Sequence, residues 1–348
     1  MKRKLHTEER TIRILKEANP ALLTKWTEPH RPRAFEGKFP AAIHQMKTGV
    51  ILFLCMGAAM VLAESESLDP NQPPILSAKA WCVADGADGR VLASAGLEDK
   101  LKAGSTTKMM CLRVVLGQVD ATPELLDEWV MVSKSAAQTP GSRAELAEGE
   151  SIQLRDAIYA LMLPSGNDMA NALAEHFNDR FAWPGDESPP ALQGPLYKAR
   201  GRFIAEMNRT ARQLGMADTC YTSALGDGLA DVPTTTAADL LRLAQAVMKH
   251  DLYRKVVATK TYHATIRLPD GGERRAEWKN TNKLLEFDCY DGIKTGLTKS
   301  AGNCLVATGT HQGKRLFVVV LGCPSDASRT AEARNLFRWG WRITSGAH

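Results

Sequence analysis

The chain has no CxxC pair, no cysteine with a histidine at metal-ligand spacing, no internal repeat, and no uncharged run long enough to span a bilayer comfortably. The first two absences argue against a structural zinc site. The seven cysteines, at positions 55, 82, 111, 220, 289, 304 and 323, are odd in number and scattered. That is not a disulfide framework, and it predicts mostly buried free thiols packing as small hydrophobes. The body also lacks an excess of positive charge. Formal net charge is +5, yet residues 1–47 hold 11 Lys/Arg against 5 Asp/Glu, leaving 33 against 34 for the rest. A body so close to neutrality offers no electrostatic case for a nucleic-acid partner. With 44% apolar and 24% charged residues over 348 positions, the composition is globular and neither disordered nor fibrous.

What apolar run there is lies near the start. Val50 to Ala63 reads VILFLCMGAAMVLA, preceded by Lys47 and ending in small residues suited to a signal peptidase. A bilayer span needs about 20 residues, so this run reads as a secretory signal cleaved after Ala63. Its natural start is Met46. Residues 46–63 are therefore expected to be the signal peptide and 64–76 a linker. Residues 1–45 are expected to be a non-native or disordered extension, with an uncleaved cytoplasmic tail as the rival. Cleavage would leave an exported, periplasmic or extracytoplasmic protein without a stable membrane anchor; an uncleaved signal would keep it membrane-associated.

Along the body, Ala78–Asp85 and Arg90–Ala95 flank a Gly86-Ala-Asp-Gly89 turn and predict a strand pair. Ser105–Gln118 is apolar almost all round, as in a buried helix. Trp129–Ser133 is strand-like. Helices are predicted over Leu154–Leu163, Asp168–Phe177 and Lys198–Leu214, with a Pro- and Gly-rich loop over 179–197. Thr236 with Asp239 resembles a capping box opening a helix that runs to His250. Strands over Gly292–Thr298, Asn303–Gly309 and Arg315–Gly322 and a helix over Ser328–Trp341 end the chain. Strands at both ends with helices between them predict one domain, residues 77–343, whose sheet is closed by both termini.

Three short motifs carry chemistry. Ser105-Thr-Thr-Lys108 is the sole SxxK in the chain, and its spacing puts Ser and Lys on one helix face. A serine hydroxyl needs a base to become a nucleophile, and a buried lysine near a helix N-terminus can be that base. Ser165-Gly166-Asn167 follows Pro164 between two helices and can present two short polar side chains to a cleft; read alone, it is more simply a helix cap. Lys294-Thr295-Gly296 lies on a predicted strand, with glycine where another backbone can approach closely. Alone it means little, since Lys47-Thr48-Gly49 repeats it by accident.

Taken together and in this order, the three motifs resemble those of the serine D-alanyl-D-alanine carboxypeptidases, the low-molecular-weight penicillin-binding proteins. Further likeness lies in Leu161-Met-Leu-Pro-Ser-Gly-Asn-Asp-Met-Ala-Asn-Ala-Leu-Ala-Glu-His176, in Met207-Asn208 with Leu214-Gly-Met216, and in Asp291-Gly-Ile-Lys-Thr-Gly-Leu-Thr298 with Ala301-Gly302. It extends from about Ser77 to Trp341. The family often has His-Gly-Leu-Asp where this chain has Leu225-Gly-Asp-Gly-Leu229, and its 179–197 stretch is usually shorter. Many members continue into a β-rich second domain and an amphipathic anchor, neither of which is expected here.

The resemblance implies an α/β (α+β) fold of the DD-peptidase and serine β-lactamase type, an antiparallel sheet formed from both ends of the domain, with a mostly helical insertion. It implies an exported peptidase that removes the terminal D-Ala of peptidoglycan stem pentapeptides and is acylated by β-lactam antibiotics, without metal or organic cofactor. Ser105 would be the nucleophile, Lys108 its base and Ser165 a proton relay. Asn167 would bind the substrate amide. Lys294, Thr295, Gly296 and Leu297 would line the substrate strand, with the oxyanion hole formed by the N–H groups of Ser105 and Leu297. Arg329, seven residues after Gly322, matches the family's arginine for the free carboxylate; by itself it is equally a solvated first-turn residue. A DD-endopeptidase is the main alternative. A serine β-lactamase is a lesser one, because no Glu-x-x-Leu-Asn motif occurs between Asn167 and Lys294. The intact motifs argue against a non-catalytic binding relative.

Overall fold

A computed structural model describes residue 69 and residues 71–182, 195–226 and 235–345. The expected extension and signal (1–63), positions 64–68 and 70 of the linker, residues 183–194 of the predicted loop, and residues 227–229 lie outside the described residues.

The N-terminal strand pair is β1 (Ala80–Asp85) and β2 (Val91–Ala95). After a 3-10 turn at Gly104–Thr107 comes the helix α1 (Lys108–Ala121). The short β3 (Trp129–Met131), α2 (Lys134–Ala137) and β4 (Ser151–Gln153) follow. Four helices come next, α3 (Leu154–Met162), α4 (Asn167–Asn178), α5 (Pro195–Gln213) and α6 (Ala237–Val247). Then come α7 (Asp251–Ala258), the hairpin β5 (Thr261–Arg267) and β6 (Glu273–Lys279), the strands β7 (Tyr290–Thr298), β8 (Gly302–His311) and β9 (Lys314–Cys323), and the last helix α8 (Asp326–Thr344).

The main sheet has the order β2-β1-β9-β8-β7, all antiparallel, so both ends of the domain build it as expected. β1 pairs with β9 from Ala80 opposite Leu321 to Asp85 opposite Leu316. Most residues of β1, β8 and β9 are buried, because both sheet faces are covered. One face packs on the helical part, with Cys82, Val306, Val319 and Leu321 on the side of α6; the other, with Val83, Val318 and Val320, packs on α8 through Leu336, Phe337 and Trp341. β7 is left as an edge strand.

Several local expectations shift. The helix predicted from Thr236 to His250 ends three residues early, and a second helix follows it. Thr236 accepts from the Asp239 N–H at 3.1 Å, but the Asp239 carboxylate turns to the Asp218 N–H, the Thr219 hydroxyl and Arg242. α6 ends at Val247, and His250 then caps α7 by accepting from the Tyr253 N–H. The helix α5 begins at Pro195, inside the predicted loop, as proline at a first helical position allows. A second sheet, β3-β4-β5-β6, was not anticipated, although alternating burial in β5 and the Asp270-Gly-Gly272 turn signal its hairpin. Six cysteines are described, all as free thiols. Four are buried as expected, Cys220 is exposed and Cys289 half-buried. No described helix is long and apolar enough to cross a membrane.

Candidate active site

Ser105 sits in the 3-10 turn that precedes α1, not inside the helix. Gly104 starts the turn at φ +53, in the left-handed region that glycine tolerates. Gly226 lies so close that a Cβ there would fall 1.9 Å from the Gly104 carbonyl oxygen. α1 is enclosed, with Met109, Met110, Cys111, Leu112, Val115 and Leu116 all buried, and Lys108 at its first turn is itself 0% exposed. The Lys108 Nζ lies 3.0 Å from Ser105 Oγ, 2.7 Å from Asn167 Oδ1 and 3.2 Å from the Leu225 carbonyl. These three partners are uncharged. An SxxK spacing that is two residues on one face in sequence is thus a direct contact in space.

The Ser165-Gly166-Asn167 loop does not cap its helix. Gly166 is the N-cap of α4 and no side chain caps it, which removes the simpler reading of the motif. Ser165 adopts φ +62, a left-handed conformation that costs a non-glycine residue on the order of 1–3 kcal/mol. Its buried Oγ has no described hydrogen-bond partner. Asn167 is locked: its N–H donates to Ser142 O at 2.8 Å, and its Nδ2 donates to Pro140 O at 2.7 Å. The amide is thereby oriented with Oδ1 toward Lys108.

The strap that locks Asn167 is held by Asp168, which the sequence reading passed over. Asp168 is fully buried and accepts from the N–H groups of Ala144 (2.9 and 3.1 Å), Leu146 (3.3 Å) and Met169 (2.9 Å). In sequence it is an ordinary first-turn acid; only its depth marks it out. Glu150 anchors the other end of the strap, accepting from Ala147 N–H and from Arg274 at two nitrogens, 2.6 Å each. The Arg274 guanidinium beside it holds the Glu150 carboxyl below its usual range.

β7 brings the third motif to the nucleophile turn. Gly296 permits the approach, since a Cβ there would lie 2.5 Å from Ala103 O and 3.2 Å from Thr106 N. Leu297 N in turn would be 3.2 Å from a Cβ at Gly104, so the backbone of Leu297 borders the Ser105 turn. The Leu297 side chain points out, 62% exposed. Lys294 is buried, with its Nζ donating to Thr295 O at 3.1 Å. Burial first, then the nearby charges of Lys108 and Arg329, push the Lys294 amine well below the usual lysine range. Thr295 Oγ1 is 2.7 Å from Thr281 Oγ1.

Arg329 is buried, not solvated as a first-turn position suggests. Its Nη1 donates to Gly296 O at 3.1 Å and Cys304 O at 3.3 Å, and its Nη2 pairs with Asp326. The guanidinium thus braces β7 against β8 behind Lys294. Among the described residues no group of three His, Cys, Asp or Glu side chains gathers as a metal site. What the arrangement offers is a hydroxyl touching an enclosed amine, a second hydroxyl with no described partner, and a second buried amine and a guanidinium beside an edge strand. That set suits acyl transfer, with activation of the nucleophile and attraction for an anionic end.

Comparison with known proteins gives the same picture. A family model described as D-alanyl-D-alanine carboxypeptidase matches residues 68–180 and 198–325. The chain is similar to the D-alanyl-D-alanine carboxypeptidase of Streptomyces sp. strain K15, 31% identical over 87% of this chain and 98% of that protein. It also resembles D-alanyl-D-alanine carboxypeptidase DacC of Escherichia coli, 30% identical over 84% of this chain and 67% of that protein. The D-alanyl-D-alanine endopeptidase of Pseudomonas aeruginosa is 28% identical, covering 83% and 86%. Among solved structures, the Streptomyces K15 DD-transpeptidase superposes with a TM-score of 0.69 at 31% identity, covering 78% of this chain and 99% of that one. On this evidence of sequence and fold, the chain belongs to the D-alanyl-D-alanine carboxypeptidase family of serine peptidases, with the penicillin-binding-protein fold.

Proposed function

We propose that this chain is an exported serine D-alanyl-D-alanine carboxypeptidase that trims peptidoglycan stem pentapeptides through an acyl-enzyme on Ser105. The observation that carries the reading is the buried Lys108 amine, 3.0 Å from Ser105 Oγ and 2.7 Å from the oriented Asn167 Oδ1. Ser105 Oγ attacks the carbonyl carbon of the penultimate D-Ala, and its proton passes to Lys108 Nζ. The N–H groups of Ser105 and Leu297 hold the oxyanion; donors fixed in this way are commonly the largest catalytic contribution. As the C–N bond breaks, the proton reaches the leaving nitrogen through Ser165, whose Oγ is free for that relay. Water then hydrolyses the ester. Asn167 Nδ2 spends one N–H on Pro140 O and keeps its second for the substrate amide. The peptide adds as a strand to the edge of β7, along Lys294, Thr295, Gly296 and Leu297. Lys294 and Arg329 supply the field for its terminal carboxylate. A β-lactam presents the same kind of carbonyl to the same hydroxyl.

Mass spectrometry of a stem pentapeptide incubated with the enzyme tests this. Loss of one D-Ala, absent in Ser105→Ala, is the expected result. An added amine acceptor separates hydrolysis from transfer, the activity named for the Streptomyces K15 relative. Cleavage only of cross-linked muropeptides would make the enzyme an endopeptidase, and rapid turnover of a chromogenic cephalosporin a β-lactamase. Export from Met46 predicts a mature N-terminus near Glu64; sequencing that finds Met1 would overturn it.

A further inference from the structure

On the sheet face opposite the helical part, a cleft of about 440 Å³ opens between the start of β7 and the C-terminal half of α8. Its floor is aromatic. Tyr290 stacks on Trp341 with centroids 5.7 Å apart, and Phe287, 40% exposed, forms one wall. Arg334 and Arg338 line the same cleft; four residues apart on one helix, they stand one turn and about 6 Å from each other. The Arg334 guanidinium lies 4.3 Å over the Phe287 ring, and His311 lies 5.3 Å from Trp341. No acidic residue lines the cleft.

Many of the domain's arginines are matched with carboxylates, as in Arg200 with Glu175, Arg242 with Asp239, Arg274 with Glu150 and Arg315 with Asp291. Among the described residues, neither Arg334 nor Arg338 has such an ion pair. Arg342, one further turn along, also lines the cleft and already has an interaction of its own. Two guanidiniums one turn apart can converge on a single oxyanion, which arginine binds in a fork geometry. The rings beneath them favour a flat apolar body over a hydrated one.

We propose that this cleft is a second ligand site, separate from Ser105, for a small anion in which a carboxylate or phosphate is attached to a planar or aromatic body. The oxyanion lies between Arg334 and Arg338, and the planar body rests on Phe287, Tyr290 and Trp341.

The half-buried Cys289 thiol lines the cleft and serves as a reporter, with the exposed Cys220 as an internal control. The full chain is alkylated with iodoacetamide in the presence of 2-naphthyl phosphate, 2-naphthol or inorganic phosphate, and each cysteine is followed by peptide mass spectrometry. Calorimetry measures the Kd. 2-Naphthyl phosphate is expected to slow alkylation at Cys289 saturably, by at least several-fold, and to leave Cys220 unchanged. Naphthol and inorganic phosphate, each lacking one half, are expected to bind at least ten-fold more weakly. Arg338 is exposed, so Arg338→Ala should fold normally and raise the Kd for 2-naphthyl phosphate about ten-fold or more, with penicillin labelling of Ser105 unchanged. Phe287→Ala should weaken the same ligand. The proposal is overturned by an unprotected Cys289, by an unchanged Kd in Arg338→Ala, or by naphthol or phosphate alone binding as tightly.

Discussion

Lys108 and Lys294 are both buried, but their described contacts differ, and so do the roles open to them. Lys108 reaches the hydroxyl of Ser105 and the amide oxygen of Asn167. Lys294 reaches only a backbone carbonyl, with the Lys108 amine and the Arg329 guanidinium near it. If Lys108 is the base, the charge-preserving Lys108→Arg should nearly abolish acylation by fluorescent penicillin, because arginine does not deprotonate in proteins. Near-normal labelling of that variant would remove Lys108 from the role. Arg329 poses a different question, since its Nη1 and Nη2 already serve Gly296, Cys304 and Asp326. If its charge also attracts the substrate carboxylate, Arg329→Ala should lower kcat/KM for a peptide ending in D-Ala-D-Ala by about ten- to a hundred-fold, the worth of roughly 1.5–3 kcal/mol. A C-terminally amidated peptide should lose much less. Equal losses on both substrates would make Arg329 purely a brace between β7 and β8.

At the scale of elements, the site depends on how closely an edge strand can press against the turn that precedes α1. Gly296 sets that distance, since any Cβ would meet the rigid backbone at Ala103 and Thr106. Gly296→Ala should therefore move β7 off the turn, dropping the acylation rate at least ten-fold while the far-UV spectrum stays native, because a displacement of about 1 Å can cost 10²-fold in rate. Stopped-flow penicillin acylation measures it; an unchanged rate would mean that the Leu297 N–H takes no part in the oxyanion hole. The same scale shows where sequence reading succeeded and where it failed. α1 was legible because its apolar residues surround it, which only a buried helix tolerates. The turn at Ser105 was read as helix because a 3-10 start has nearly the same local pattern. The β5–β6 hairpin went unseen although alternation and a Gly-rich turn were there, since charged residues dominate its exposed face.

Among the described residues the main sheet is shared by two cores, and burial leaves its mark on titration. Burial pushes the thiols of Cys82, Cys111 and Cys323 up to about 12 and that of Cys304 up to about 11 from an ordinary 9.0. Unfolding releases them, so above pH 9 the unfolded state loses protons that the folded state keeps, and stability falls as pH rises. Lys294 acts in the opposite sense. Its folded-state value lies well below 10.5, so the unfolded state binds the extra proton, and stability rises with pH up to that point. Four thiols outweigh one amine once they begin to ionise. Thermal unfolding should therefore give a Tm that declines above about pH 9, before the ordinary tyrosine range near 10 is reached. A Tm that stays flat to pH 10 would contradict the burial of the thiols. Lys294→Met should lessen the rise on the approach to pH 9.

The strands that both ends of the domain give to the main sheet, the enclosed α1 and the three motifs follow from the sequence alone, because hydrophobic period and residue type are local properties that no later contact erases. The family itself was legible in the same residues. What tertiary structure decided is everything that depends on depth and distance. Ser165 and Asn167 looked like capping residues until the backbone placed Gly166 at the cap. Asp168 merely opens a predicted helix until three backbone N–H groups close over it. Arg329 reads equally as a carboxylate-binding arginine and as a solvated first-turn residue, and only the enclosure by β7 and β8 shows that it is buried. In each case the side chain's environment is built by segments tens to hundreds of positions away in the chain, or by a backbone conformation that the neighbouring residue types leave open. Burial, and with it the energy of every charge and hydrogen bond at the site, is a property of those distant partners.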